Sequence, residues 1–143
     1  MIAVDTNLLV YAHRGDSEWN TAAYATLAEL AAGRAAWAIP WPCIHEFLSV
    51  VTHPRIFVPP SSMDEALDQV SAWLECPSLV LLSEEGAYWP CLEQLVKDAK
   101  IKGPAVHDAR IAALCRVHGV HELWTADRDF SRLNVSVRNP LIG

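Results

Sequence analysis

The chain has 143 residues, of which 52% are hydrophobic and 20% are charged, a composition typical of one globular domain rather than of a disordered segment. Its formal net charge of −6 argues against the broad basic surface that most nucleic-acid-binding proteins carry. The N-terminal apolar run is interrupted by Asp5 and Asn7 and lacks a basic flank, so it fits neither a signal peptide nor a transmembrane helix. We therefore expect a cytoplasmic protein with no membrane role.

The chain opens on an apolar run that ends abruptly in a carboxylate. Ile2 to Val4 predict a short buried strand, and Asp5, Thr6 and Asn7 follow it directly. In open α/β sheets, ligands bind just outside the carboxyl ends of the strands, so an acid at this point favours a functional site. Asp is also a common N-cap, and a helix that begins at Thr6 would give Asp5 a purely structural role.

Three further elements follow before residue 53. The spacing of apolar residues predicts a helix from Ser17 to Gly33, capped by Asp16 or Ser17. A short apolar run at 35–39 predicts a second buried strand, and a helix is expected over about 42–52. Glu46 lies away from the apolar stripe of that last helix, so helical periodicity alone places it in solvent.

The middle of the chain combines a proline-rich connection with two helices and a strand. In residues 53–61 the apolar Ile56, Phe57 and Val58 require cover from this chain or from another. Ser62 and Glu65 have the spacing of a capping box, so a helix should begin there and end before residue 77. Residues 78–82 predict a third strand, and the next helix is expected to be capped at residue 83 and kinked or delayed at residue 90.

After a break at residues 103–104, the sequence predicts a helix over 105–118 that carries an acid on its apolar face. Asp108 shares that face with residues 111, 112 and 115, and burying an unpaired carboxylate is unfavourable, so a cation or another partner is expected. Stabilisation by the helix dipole is the structural alternative. A short strand through residues 123 and 124 then leads to Thr125, Asp127 and Asp129, and an edge strand is expected at 135–137.

Alternation of strands and helices predicts an α/β fold with a mostly parallel sheet of four or five strands and helices on both faces. In such a sheet, Asp5, Glu46, Asp108 and Asp127 can open onto one edge and converge. Carboxylates held together repel one another unless divalent cations compensate, and hard oxygen ligands favour Mg²⁺ or Mn²⁺. Acidic sites of this kind suit two-metal hydrolysis of phosphodiesters, and assigning four carboxylates to a metal site weakens the objection from net charge.

These segments together resemble the PIN domain, and most closely the VapC toxins of bacterial toxin–antitoxin pairs. The motifs that carry the resemblance are IAVDTNLLVYA at 2–12, IPWPCIHEFLSVVTHPRIF at 39–57, HDARIAALCRVHGV at 107–120, LWTADRDF at 123–130 and NPL at 139–141. The resemblance implies a single PIN domain over 1–143, with a three-layer α/β/α architecture. It also implies a Mg²⁺- or Mn²⁺-dependent endoribonuclease acting on RNA, usually a homodimer, and a cognate VapB-like antitoxin that inhibits it.

Site residues are implied position by position. The family's acidic residues match Asp5, Glu46, Asp108 and Asp127, which are the candidate catalytic residues, and Asp5, Asp108 and Asp127 are the candidate metal ligands. Supporting positions match Thr6, Asn7 and Thr125, and Asp129 is a further supporting candidate that could instead pair with Arg128 or Arg132 or cap a turn. His45 and His107 each precede a site acid, but neighbouring helical residues point about 100° apart, so we expect both to be structural.

Several alternatives stay open at this point. The pair His107 and Asp108 could belong to an all-helical HD-type phosphohydrolase, and the chain could be a non-catalytic RNA- or protein-binding module that retains the acidic fold. Two residue sets have minor functional interpretations. The lysines at 97, 100 and 102 could contact phosphates, and one or two of the six tryptophans could anchor a dimer or antitoxin contact. The four cysteines, which have no metal-binding or redox spacing, are expected to be reduced core residues.

Overall fold

The computed structural model describes residues 1–127 and 129–142, apart from the side chains of Asp129 and Ser131. The strands are β1 (Ile2–Val4), β2 (Trp37–Pro40), β3 (Leu79–Leu82), β4 (Glu122–Trp124) and β5 (Val137–Arg138). The α-helices are α1 (Thr6–His13), α2 (Asn20–Ala32), α3 (Trp41–Val51), α4 (Met63–Leu74), α5 (Tyr88–Asp98) and α6 (Ala105–Val117). A 3₁₀ helix at Asp129–Leu133 connects β4 to β5.

The strands form one parallel sheet in the order β3-β2-β1-β4-β5. Because parallel crossovers are right-handed, α1 to α4 lie on one face, and α5 and α6, whose connection runs back across the sheet, lie on the other. Helix packing agrees, since α1 contacts α2 and α3, α3 contacts α4, and α5 contacts α6. This three-layer arrangement confirms the predicted α/β fold and excludes the all-helical HD alternative.

The topology also indicates where a ligand should bind. Strand β1 lies between β2 and β4, and the chain leaves it in one direction and returns on the other side. The carboxyl ends of β1 and β4 therefore flank the point where strand order reverses, which is the usual ligand site of open α/β sheets.

The centre of the sheet is dry because helices cover both faces. The side chains of Ala3, Val4, Ala38 and Ile39 have no exposed surface, and all four residues of β2 are buried. Such continuous apolar strands are typical of parallel sheets covered on both sides. In the part of the chain that the structure describes, no helix is long and apolar enough to cross a membrane.

Two helices begin later than the sequence predicts. Asp16 does not cap α2, because its carboxylate pairs with Arg14, and the Ser17 hydroxyl instead accepts a hydrogen bond from the backbone N–H of Trp19 in the turn before α2. Ser83 does not cap α5, whose start is delayed to Tyr88 with Pro90 in its first turn, where proline is tolerated. The predicted caps of α2, Asp16 and Ser17, are occupied in local contacts before the helix. The predicted cap of α5, Ser83, precedes the helix by several residues.

Other predicted boundaries are close to the observed ones. The capping box of Ser62 and Glu65 is present, with both reciprocal hydrogen bonds at 3.1 Å. The edge strand predicted at 135–137 is shifted to Val137–Arg138. In the connection before α4, Val58 is 85% exposed and Ile56 is 54% exposed, so the cover that these side chains were expected to need is incomplete within the described chain.

Candidate active site

A cavity of about 330 Å³ lies at the carboxyl edge of β1 and β4. All four acids that the motifs predict, Asp5, Glu46, Asp108 and Asp127, line it. Thr6 and Asn7 also line the cavity, whereas Thr125 lies behind the acids and acts through hydrogen bonds. The structure thus brings residues from the start, the middle and the end of the chain to one cavity.

Asp5 is the most deeply placed of these acids, at 8% exposure. It follows β1 directly, and its backbone N–H donates to the carbonyl of Trp124 at 3.0 Å, which ties it to β4. Its Oδ1 accepts from the backbone N–H of Thr6 at 2.8 Å, so Asp5 is also the N-cap of α1. The structural role and the position at the candidate site therefore coexist in one residue.

Thr125 connects the two strand ends through its hydroxyl group. Its Oγ1 donates to Oδ2 of Asp5 at 2.8 Å and accepts from Nδ2 of Asn7 and from the backbone N–H of Asp127, both at 3.0 Å. The Oδ1 atom of Asn7 accepts in turn from the backbone N–H of Ala126 at 3.1 Å. This network fixes the Asp5 carboxylate and the backbone of Asp127 relative to one another.

Glu46 reaches the same cavity from α3. Its side chain is exposed, as helical periodicity predicts, yet its Oε2 accepts a hydrogen bond from Thr6 Oγ1 at 3.3 Å. Thr6 therefore contacts one acid with its backbone and another with its side chain. An exposed position at the cavity rim satisfies both the periodicity and the family motif.

Asp108 lies in the first turn of α6, half-buried beside Ile111, which lines the cavity with it. Asp127 is half-buried after β4, where its backbone is held by Thr125. The predicted supporting side chain of Asp129 lies outside the described residues.

Burial dominates the electrostatics of Asp5. Burial raises the pKa of Asp5 above its ordinary value, and the nearby charge of Glu46 adds to this, while hydrogen bonds from Thr6, Thr125 and Cys43 partly offset it. Burial also raises the pKa of Cys43 well above its ordinary value, and the charge of Asp5 contributes. Cys43 is therefore a neutral thiol at neutral pH, and it donates to Asp5 Oδ1 at 3.5 Å.

The chemistry of the side chains that line the cavity fits a hard divalent cation. The hydrogen-bond donors to Asp5 are an amide, a hydroxyl and a thiol, all neutral, and the described residues that line the cavity include no lysine or arginine. Carboxylate oxygens are the ligands that Mg²⁺ and Mn²⁺ prefer. However, no three Asp, Glu, His or Cys side chains in the described ranges are grouped closely enough to hold a metal ion. The predicted convergence of the acids thus extends to a common cavity but not to a ready-made ligand cluster.

Sequence reasoning missed several residues at the site. Cys43 was expected to be an ordinary core residue, and a single buried cysteine gives no sequence signal of a bond to Asp5. His107, expected to be structural, lines the cavity, whereas His45 stacks on Trp41 with ring centroids 6.3 Å apart. Ile56 and Phe57 also line the cavity, and the only signal in the sequence was that they need cover.

Comparison with known proteins identifies the fold and the family. A model of the PIN domain matches residues 2–135. Ribonuclease VapC43 of Mycobacterium tuberculosis is 33% identical over 144 residues, covering 100% of this chain and 97% of the relative. The crystal structure of VapBC2 from Rickettsia felis, bound to a promoter DNA fragment, has a TM-score of 0.71 at 19% identity and covers 97% of this chain and 98% of its own. A toxin–antitoxin complex from Klebsiella pneumoniae has a TM-score of 0.64 at 20% identity, covering 98% of both chains.

The chain therefore belongs to the PIN domain family. Within that family it groups with the VapC ribonucleases, because the similarity to VapC43 extends over the whole chain. This confirms the resemblance that the motifs carry.

Proposed function

We propose that this chain is the toxin of a type II toxin–antitoxin pair and that it acts as a metal-dependent endoribonuclease. It hydrolyses phosphodiester bonds of RNA in the cavity at the carboxyl edge of β1 and β4, and residues 1–143 act as one domain. The observation that carries the proposal is that the four acids matched by the family motifs, which are far apart in sequence, line this one cavity. The whole-length similarity to a VapC ribonuclease supports RNA as the substrate.

Asp5, Asp108 and Asp127 are the proposed ligands of Mg²⁺, with Mn²⁺ as the alternative ion. When bound, such an ion promotes ionisation of the attacking water and stabilises negative charge on the phosphate oxygens. A cation also offsets the burial of Asp5, whose present hydrogen-bond donors are all neutral. Because the proposed ligands are carboxylate oxygens, they favour Mg²⁺ or Mn²⁺ over Zn²⁺.

Side chains and backbone groups of the protein hold the Asp5 carboxylate and accept the proton of the attacking water. Thr125 and the Thr6 backbone hold the Asp5 carboxylate in one orientation through bonds to its two oxygens. Glu46, exposed and hydrogen-bonded by Thr6 Oγ1, is the residue proposed to take the proton that leaves the attacking water. His107, which is exposed at the cavity wall, is not needed for this scheme.

An antitoxin of the VapB type is the proposed inhibitor, and the free toxin is proposed to be a homodimer. The toxin–antitoxin complex from Klebsiella pneumoniae supports a protein inhibitor for a chain of this fold. Light scattering at micromolar concentration measures the oligomeric state, and a monomer would contradict the homodimer. The cytoplasm is the proposed compartment, since it holds the RNA.

The test is cleavage of a mixed RNA pool by the purified, antitoxin-free protein with Mg²⁺ or Mn²⁺. We expect cutting that requires the metal and that is lost by at least about 100-fold in Asp5→Asn and in Asp108→Asn, because substitutions behind a metal ligand already reduce activity by about 10–100-fold. Glu29→Gln, an exposed change on α2 away from the cavity, is the control and should cut as the wild type does.

Cutting that persists in both variants, or that needs no metal, would contradict the proposed site. A protein that neither cuts RNA nor binds Mn²⁺ in calorimetry would instead be a non-catalytic binding module with the same fold.

A further inference from the structure

We propose that the apolar part of the cavity lining binds a nucleobase of the substrate, and that Ile56 and Phe57 provide the main contact. This inference rests on the proposed function, because it assigns the base next to the phosphate that a cation bound by the acids would hold. The surface concerned, called here the apolar wall, consists of Val10, Val50, Ile56, Phe57 and Ile111.

The cavity has two chemically different parts. Its acids would hold a cation, which in turn would bind a phosphate, whereas the apolar wall has no charged side chain and offers aliphatic and aromatic surface. A nucleotide has the same division, since its phosphate is charged and its base presents flat apolar faces that stack on aromatic and aliphatic side chains. A volume of about 330 Å³ is at the lower end of the range for small-ligand pockets, roughly 300–1,000 Å³, so the occupant is small.

The segment that carries Ile56 and Phe57 is held in a fixed shape before any ligand binds. The backbone N–H groups of both residues donate to the carbonyl of His53 at 3.1 Å. The guanidinium group of Arg14 lies 4.3 Å from the centre of the Phe57 ring, and it also donates to the carbonyl of Pro59 at 3.0 Å. A preformed surface loses little conformational entropy on binding, which favours a recognition role over a loose connection.

Exposure within this segment distinguishes the apolar wall from the rest of the loop. Ile56 lines the cavity yet is 54% exposed, so a large apolar side chain is available to a ligand that also reaches the acids. Val58, two residues on, is 85% exposed but is not among the described residues that line the cavity. The pair therefore provides a test residue and a matched control of similar chemistry on one loop.

The experiment measures binding of the four nucleoside 5′-monophosphates and of ribose 5-phosphate to the full-length protein with Mn²⁺ by calorimetry. We expect the best monophosphate to bind roughly five-fold or more tightly than ribose 5-phosphate, which has the same phosphate but no base. Ile56→Ser should remove most of this preference without changing the affinity for ribose 5-phosphate. Val58→Ser should keep the wild-type preference, and thermal melting should show that both variants remain folded.

Ribose 5-phosphate that binds as tightly as the best monophosphate, no measurable binding of any probe, or an unchanged preference in Ile56→Ser would each overturn the inference. An unchanged preference combined with lost affinity for a protein partner would assign the apolar wall to protein recognition. Failure of the proposed function is seen separately, as wild-type protein that prefers monophosphates but cuts no RNA. RNA cutting without any base preference leaves the proposed function intact and removes only the inference.

Discussion

The strand edge and the helical rim of the cavity hold their acids in different ways. At the strand edge, Asp5 is 8% exposed and both its carboxylate oxygens accept hydrogen bonds from neighbouring backbone and side-chain groups. At the helical rim, Glu46 is exposed and accepts a 3.3 Å hydrogen bond from Thr6 Oγ1. The first acid is desolvated and fixed in place, whereas the second is solvated and can adjust.

Because of this difference, we expect substitutions at the strand edge and at the helical rim to change activity and stability to different extents. A carboxylate in water has little influence on the free energy of unfolding, so the rim can change at almost no structural cost. A buried carboxylate among neutral donors opposes folding through desolvation, while its hydrogen bonds fix the geometry of the site. Substitutions in the two regions should therefore affect activity and stability in different combinations.

The largest effect on activity without an effect on stability is expected for Glu46→Gln. A carboxamide can still accept from Thr6 but cannot take a proton, and general-base contributions are about 10²–10⁴-fold, so RNA cleavage should fall by at least about 100-fold. The free energy of unfolding should stay within about 0.5 kcal/mol of the wild type. Cleavage rates and denaturant melts with Glu29→Gln as control measure both, and full cleavage by Glu46→Gln would remove Glu46 from the mechanism.

A combined loss is expected for Thr125→Val. Thr125 is 2% exposed, and its hydroxyl is replaced by a methyl group of similar size. The change removes the acceptor that Thr125 provides to Asn7 Nδ2 and to the Asp127 N–H, and it removes one of the three donors to Asp5. We expect about 1–3 kcal/mol of destabilisation and a roughly 10–100-fold lower cleavage rate.

Two control variants test whether the position of the Thr125 hydroxyl group matters, or whether loss of any hydrogen-bonded hydroxyl group has the same effect. Thr125→Ser retains the hydroxyl group and should recover most of the activity. Thr26→Val removes a hydroxyl that donates to Ala22 O at 2.9 Å on α2, and it should leave cleavage unchanged. Equal losses in Thr125→Ser and Thr125→Val would show that the hydrogen-bond network is not what matters.

The smallest effect is a change in the pH dependence of stability in Asp5→Asn. Because burial raises the pKa of Asp5 in the folded protein above the ordinary 3.8, the folded state binds the proton more tightly than the unfolded state. The wild type is therefore penalised at pH 7 and recovers stability as pH falls through the raised pKa. Asn is as good an N-cap as Asp, so the cap of α1 should survive the substitution.

Without metal, Asp5→Asn should unfold at a higher temperature than the wild type at pH 7, and the difference should shrink toward pH 3.8. Thermal melts in EDTA across this pH range measure it. A variant that is less stable than the wild type at pH 7 would show that the hydrogen bonds of Asp5 outweigh its desolvation.

The predictions from sequence were strongest where local chemistry and topology agree. An acid directly after a buried strand, as at Asp5, lies at the sheet edge in any parallel α/β fold, so periodicity and topology suffice to place it. The family motif placed Glu46 at the cavity where helical periodicity alone placed it in solvent, and the structure shows an exposed side chain that lines the cavity.

Contacts that depend on distant packing could not be predicted in this way. The bond from the Cys43 thiol to Asp5 joins residues 38 positions apart, and nothing in a lone apolar-looking cysteine indicates it. The delayed start of α2 depends on the pairing of Asp16 with Arg14, which competes with a role as helix cap. The first contact depends on tertiary packing, and the second depends on whether Asp16 pairs with Arg14 or caps the helix.

The most direct test of the central claim is anomalous diffraction from crystals of the wild-type protein grown with Mn²⁺. The account predicts an anomalous peak in the cavity at the carboxyl edge of β1 and β4, within ligand distance of oxygens from Asp5, Asp108 or Asp127, after inward movement of their side chains. A cavity without a peak in crystals of protein that cuts RNA with Mn²⁺ in solution would contradict it.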